Sequence, residues 1–94
     1  MSDSQVRYVV RFYGQVQGVG FRATALSHST GLRVRGFVRN KSDGSVELDV
    51  VGPESDLREL IKRIESSMKG NIDDTQVESL PAEERVDEFR IRFS

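Results

Sequence analysis

The chain has no cysteine and a single histidine, His28. No disulfide framework or thiolate chemistry is open to it, and it is too poor in His and Cys ligands for the usual transition-metal site. No apolar run approaches the roughly 20 residues needed to cross a bilayer. The opening "MSDSQ" is polar and lacks the apolar core of a secretory signal, so a cytoplasmic protein with no membrane partner is expected. An excess of charge is missing too, with 14 Lys and Arg against 15 Asp and Glu and a net charge of −1. That balance argues against general attraction to nucleic acid, while leaving room for a local basic spot. Any chemistry must run on arginine, asparagine, carboxylates and backbone groups.

What is present fits one domain. A chain of 94 residues can bury somewhat over about 60% of its unfolded surface and fold unaided. Residues 1–5 are expected to be a disordered tail and 6–94 the domain. "VRYVVRFYG" (6–14) alternates Tyr8, Val10 and Phe12 against Arg7, Val9, Arg11 and Tyr13, which predicts a strand. A glycine-rich loop follows, and then a short helix from about Phe21 to Thr30. Strands are predicted over 33–40 and 45–51, and Asp43-Gly44 between them is a hairpin signal.

In "GPESDLRELIKRIESSMKG" the residues Leu57, Leu60, Ile61, Ile64 and Met68 form one helical stripe, with Pro53 near the start and Gly70 past the end. Two weaker strands are read at 75–80 and 88–93. The order predicts an α+β, ferredoxin-like β-α-β-β-α-β sandwich. Its antiparallel sheet carries two helices on one face and a short extra C-terminal strand. Outward Arg, Glu and Asp residues predict that the other face is wet.

The loop "GQVQGVGFRA" (14–23) contains Gly18-Val19-Gly20-Phe21-Arg22-Ala23, a formal match to the dinucleotide turn G-x-G-x-x-G/A. That turn needs a parallel β-α-β unit and an acidic ribose ligand about twenty residues on. Here the chain reads Val38-Arg39-Asn40 and then doubles back through Asp43-Gly44. A Walker loop fails as well, because no Gly-Lys-Ser/Thr follows. Glycines at 14, 18 and 20 nevertheless let successive N–H groups converge into an anion nest. The following helix adds its dipole, and Arg22 offers a planar fork to two phosphate oxygens. The same residues would also make a tight β-to-α turn with an ordinary surface arginine, and loop chemistry by itself does not choose.

"GQVQGVGFR" (14–22) matches the signature G-x-V-Q-G-V-x-F-R of the acylphosphatase family at every specified position. "GFVRNKSDGSVE" (36–47) resembles that family's second signature, G-[FYW]-[AVI]-x-N-x-x-D-G-x-V-E, and the 18 residues from Arg22 to Asn40 are the usual separation. The resemblance spans roughly residues 6–93. One departure is that Leu32-Arg33-Val34 stands where relatives tend to carry Leu-Gly-Leu, with a glycine earlier, at 31. The first helix is therefore expected to end early or by another route.

The resemblance implies hydrolysis of a carboxyl–phosphate anhydride. Phosphate would be held by Arg22 and the backbone N–H groups of Gln15, Val16, Gln17, Gly18, Val19 and Gly20. Asn40 would orient the water. The substrate class it implies includes acetyl phosphate, carbamoyl phosphate and 1,3-bisphosphoglycerate, acted on by a monomer without metal or other cofactor. A carboxylate leaves readily and a loose phosphoryl transition state rewards positioning and charge stabilisation, so neither a strong general acid nor a metal is demanded.

His28 is expected near the surface of the first helix rather than in catalysis, and Asp43 in the turn. Arg33, Arg35, Arg39, Arg90 and Arg92 are read as a solvated surface balanced by Glu47 and Asp49. Phe37 is read as a packing residue. An RNA-recognition reading shares the element order, but its aromatic-bearing stretch belongs on the third strand, where "SVELDVV" has none. A phosphate-binding module without turnover, or a domain acting on a partner's carbamoyl phosphate, is the other alternative. Retained Arg22 and Asn40 favour an active enzyme.

Overall fold

Alternation in the first segment produces a ten-residue strand, β1 (Gln5–Gly14), whose inward residues Tyr8, Val10 and Phe12 are buried. The computed structural model describes residues 4–83 and 88–93. After β1 come α1 (Phe21–His28), β2 (Arg35–Asn40), β3 (Val46–Pro53), α2 (Glu54–Ser67), β4 (Ile72–Pro81) and β5 (Phe89–Arg92). The five strands form one sheet in the order β4-β1-β3-β2-β5. β1 pairs antiparallel with β3 and β4, and β2 pairs antiparallel with β3. This is the ferredoxin-like plan expected. The sheet is mixed rather than antiparallel throughout, because β5 enters beside the start of β2 and runs parallel to it, with Gly36 N–H donating to the Glu88 carbonyl at 3.0 Å.

The core lies between the sheet and the helices. Leu57, Leu60, Ile61 and Ile64 of α2 pack with Val10, Phe12, Val38, Leu48 and Val50 of the strands and with Ala25 of α1. Full burial of each large aliphatic side chain is worth about 1.5–3 kcal/mol, so the α2 stripe holds the helix layer down. α1 is short and contributes Phe21 and Ala25 as its buried residues.

Several boundaries differ from the sequence expectations. Residues 4 and 5, expected in a disordered tail, make ordered contacts: Gln5 pairs with Pro53, and the Ser4 carbonyl accepts the Glu54 N–H at 3.2 Å. Both residues belong to the domain, whereas 1–3 lie outside the described residues. α1 stops at His28, not Thr30, and Gly31 takes a left-handed φ of 82°. The exposed end of α1 is closed by α2, since Arg63 Nη1 donates to the carbonyls of His28 (2.8 Å) and Thr30 (3.1 Å). Arg33, at the departing position, gives its backbone N–H and Nε to Asp56 Oδ2 at 2.8 and 3.1 Å. That tie precedes β2, which begins at Arg35 rather than 33. β4 is longer than 75–80 because its limits follow pairing with β1, from Val6↔Pro81 to Gly14↔Ile72.

The outer sheet face is not simply wet. Glu47 and Asp49 on the central strand β3 are each only 5% exposed. Arg7 forks Asp49, Nε to Oδ1 at 3.0 Å and Nη2 to Oδ2 at 2.8 Å. Glu47 receives Arg39 Nε at 2.9 Å, with Arg11 and Lys41 at 3.5 and 3.6 Å. Cationic side chains from both neighbouring strands lie across the two carboxylates, and their aliphatic stems exclude water.

Candidate active site

The loop between β1 and α1 is shaped by glycine and pinned at three points. Gly18 and Gly20 both have φ of 76°, and a Cβ at either would meet nothing within 4 Å. Backbone conformation, not space, therefore demands glycine, because other L-residues pay about 1–2 kcal/mol in the left-handed region. Gly20 is also the N-cap of α1, which has no side-chain cap of its own. Val16 is fully buried and anchors the loop in the core. Gln17 Nε2 donates to the carbonyls of Lys41 (2.7 Å) and Ser45 (2.9 Å), tying the loop to the β2–β3 hairpin. The third pin is Asn71, whose carbonyl accepts the Gln15 N–H at 2.9 Å while its Nδ2 donates to the Gln15 carbonyl at 3.1 Å.

That third contact corrects the expected donor set. The N–H of Gln15 is engaged by Asn71, so it is not available to an anion. Among the described residues, none of the N–H groups of residues 16–20 has an intramolecular acceptor. They form a run of open donors just ahead of the positive end of α1.

Arg22 is the second residue of α1, and Asn40 is the last of β2. Both line one pocket of about 170 Å³ together with Gly18 and Gly20. Val16 and Phe21 form its floor. Gln15, Gln17 and Val19 do not line it: Gln17 supports from behind, and Val19 is exposed at the loop tip. Among the described residues no carboxylate lines the pocket, Arg22 makes no ion pair and the Asn40 amide makes no hydrogen bond. One cation, one neutral amide and two loop glycines thus line a small cavity with no carboxylate among the described lining residues. Such an arrangement can take up a compact dianion and place a neutral molecule beside it.

The far wall was not anticipated. Ile91 of β5 and the following Phe93 close the side opposite the loop. The Arg22 guanidinium carbon lies 5.0 Å from the centre of the Phe93 ring, within cation–π range. Alternation of Phe89, Ile91 and Phe93 marked a strand, but no local signal said that it lies beside β2.

His28 and Asp43 stay outside the pocket. The Asp43 carboxylate accepts the Ser45 hydroxyl and N–H, and these bonds hold its carboxyl below the usual carboxylate range. It is a turn residue. Among the described residues no group of three or more His, Cys, Asp or Glu could hold a metal ion, and no helix is long and apolar enough to cross a membrane.

Relatives agree with the fold. An acylphosphatase from Caldivirga maquilingensis is 40% identical over 94 residues, covering 98% of this chain and 97% of its own. The crystal structure of an acylphosphatase from Bacillus subtilis superposes with a TM-score of 0.81 at 27% identity, covering 93% of this chain and 98% of that one. HypF from T. kodakarensis is similar over 95% of this chain with a TM-score of 0.75 at 28% identity, but over only 12% of its own length. The acylphosphatase family model matches residues 8–91, which take in the loop, Arg22, Asn40 and the strands that frame them, and by this match the chain belongs to the acylphosphatase family.

Proposed function

We propose that the chain works as that family does, hydrolysing the carboxyl–phosphate bond of small acyl phosphates, with the phosphoryl group on the glycine loop and water oriented by Asn40. The N–H groups of Val16 to Gly20 and the Arg22 guanidinium hold the three non-bridging oxygens. The Asn40 amide hydrogen-bonds the attacking water and holds it in line with the leaving acyl oxygen. Water oxygen bonds to phosphorus as the bond to the acyl oxygen breaks. The electron pair leaves with the carboxylate, and the water proton goes to phosphate or solvent. Catalysis here is positioning plus charge stabilisation, which suits a loose transition state with a good leaving group.

Acetyl phosphate, carbamoyl phosphate and 1,3-bisphosphoglycerate all carry the reacting group. The reading is completed by a cytoplasmic monomer that needs no metal. The observation that carries it is the pairing of Arg22 and Asn40 in one pocket that, among the described residues, no carboxylate lines.

The test is hydrolysis of benzoyl phosphate by the protein and by Arg22→Ala, with excess chelator present. Wild-type turnover that survives the chelator and falls at least about 10²–10³-fold in the variant is the expected result. Normal turnover in Arg22→Ala would overturn the reading.

A further inference from the structure

Resting on the reading just given, we infer that Phe93 is a positioning residue for Arg22: its ring steadies the guanidinium at the phosphate pocket and leaves every N–H donor of that group free for the phosphoryl oxygens. Arg22 stands on the second residue of α1. Among the described residues its side chain makes no ion pair and no hydrogen bond. A long side chain without a partner must give up its rotamer freedom each time it takes a ligand. The contact that does engage it is the Phe93 ring, whose centre lies 5.0 Å from the guanidinium carbon. Arginine stacks on aromatic faces, and the attraction is to the ring's π-face rather than through an N–H group. A carboxylate in the same place would also fix the guanidinium, but it would occupy the donors and offset the charge that a phosphoryl group needs.

The setting of Phe93 separates this role from core packing. The residue is 82% exposed, so its ring adds little to the buried apolar surface. Among the described residues its charged partner is Arg22. β5 is held by other means, through pairing with β2 as far as Arg39↔Arg92 and through Ile91, which packs against the core. Phe93 follows directly after that last pair, at the end of β2 where Asn40 stands. The ring thus starts from an ordered strand end, and both it and Arg22 line the pocket shared with Gly18, Gly20 and Asn40.

The experiment measures kcat/KM for benzoyl phosphate and acetyl phosphate, and the inhibition constant of inorganic phosphate, in the wild type and in Phe93→Ala, Phe93→Leu and Phe93→Tyr. Phe93→Ala should weaken phosphate inhibition about threefold and lower kcat/KM for both substrates by one common factor, about three- to tenfold, at an unchanged denaturation midpoint. Phe93→Leu keeps an apolar group without a π-face and should behave as Phe93→Ala, whereas Phe93→Tyr should behave as the wild type. In an Arg22→Ala background, adding Phe93→Ala should change the residual kcat/KM by less than about twofold, because the ring acts through the arginine. Unaltered phosphate inhibition in Phe93→Ala, wild-type behaviour of Phe93→Leu, or the same loss with and without Arg22 would each overturn the inference. A wild type inactive on both substrates would instead overturn the proposed function on which it rests, so the two failures are separable.

Discussion

Gln17, in the middle of the glycine loop, donates a side-chain hydrogen bond at 2.7 Å to the carbonyl of Lys41, the residue that follows Asn40. The loop and the strand end bearing the amide are therefore one assembly. Their spacing is set by a side chain that does not line the pocket.

Gln17→Ala removes the donor to both the Lys41 and Ser45 carbonyls. Loss of these part-buried bonds should cost about 1–2 kcal/mol, read from the denaturation midpoint. Loosened spacing should also lower kcat/KM for benzoyl phosphate by about 10- to 100-fold. Reduced stability with unchanged kinetics would show that the tie holds the fold and not the site.

Asn40→Ala should lower kcat by about 10²-fold while inorganic phosphate inhibits within about twofold of its wild-type constant, because the amide is assigned to water. Asn40→Asp is the harsher change. Its negative charge beside a bound dianion should weaken phosphate inhibition as well as turnover. If Asn40→Ala itself abolishes phosphate inhibition, the amide belongs to the anion site.

Asp56 makes acid stability sensitive to one contact. The Arg33 backbone N–H above all, assisted by the Arg33 guanidinium, holds the Asp56 carboxyl below its usual range in spite of burial. A folded-state value below the unfolded value of about 3.9 means that the contribution is complete above the unfolded value. It is lost as pH falls through the folded one. Asp56→Asn should therefore be about 1 kcal/mol less stable at pH 7, where Arg33 is largely exposed and screened. The difference should shrink as the pH falls below 4 in urea titrations. A pH-independent difference would remove the carboxylate from the explanation.

The elements visible in the sequence were those whose side chains carry a pattern. β1 and β3 alternate cleanly because one face is core, and α2 shows its stripe for the same reason. β4 is an edge strand with mostly exposed side chains, so its ends are defined by hydrogen bonding to β1 and no periodicity marks them. Gln15 illustrates the limit for the site: the motif supplies an N–H, but Asn71, 56 residues away, takes it. Glu47 and Asp49 looked solvated because they alternate with apolar residues. Their burial depends on Arg7 and Arg39 lying on the strands either side, which only the sheet order decides. Arg22 and Asn40 were legible through the two linked motifs, whereas Phe93 was not.

The parallel pairing of β2 with β5 joins residues 53 positions apart, Gly36 with Phe89. On a ribosome, the loop, Arg22 and Asn40 are added before β5, and the pocket wall has no counterpart until Phe93 has left the exit tunnel. Distant pairings of this kind fold slowly among small domains. A nascent chain therefore carries the open glycine loop before it carries an enclosed pocket.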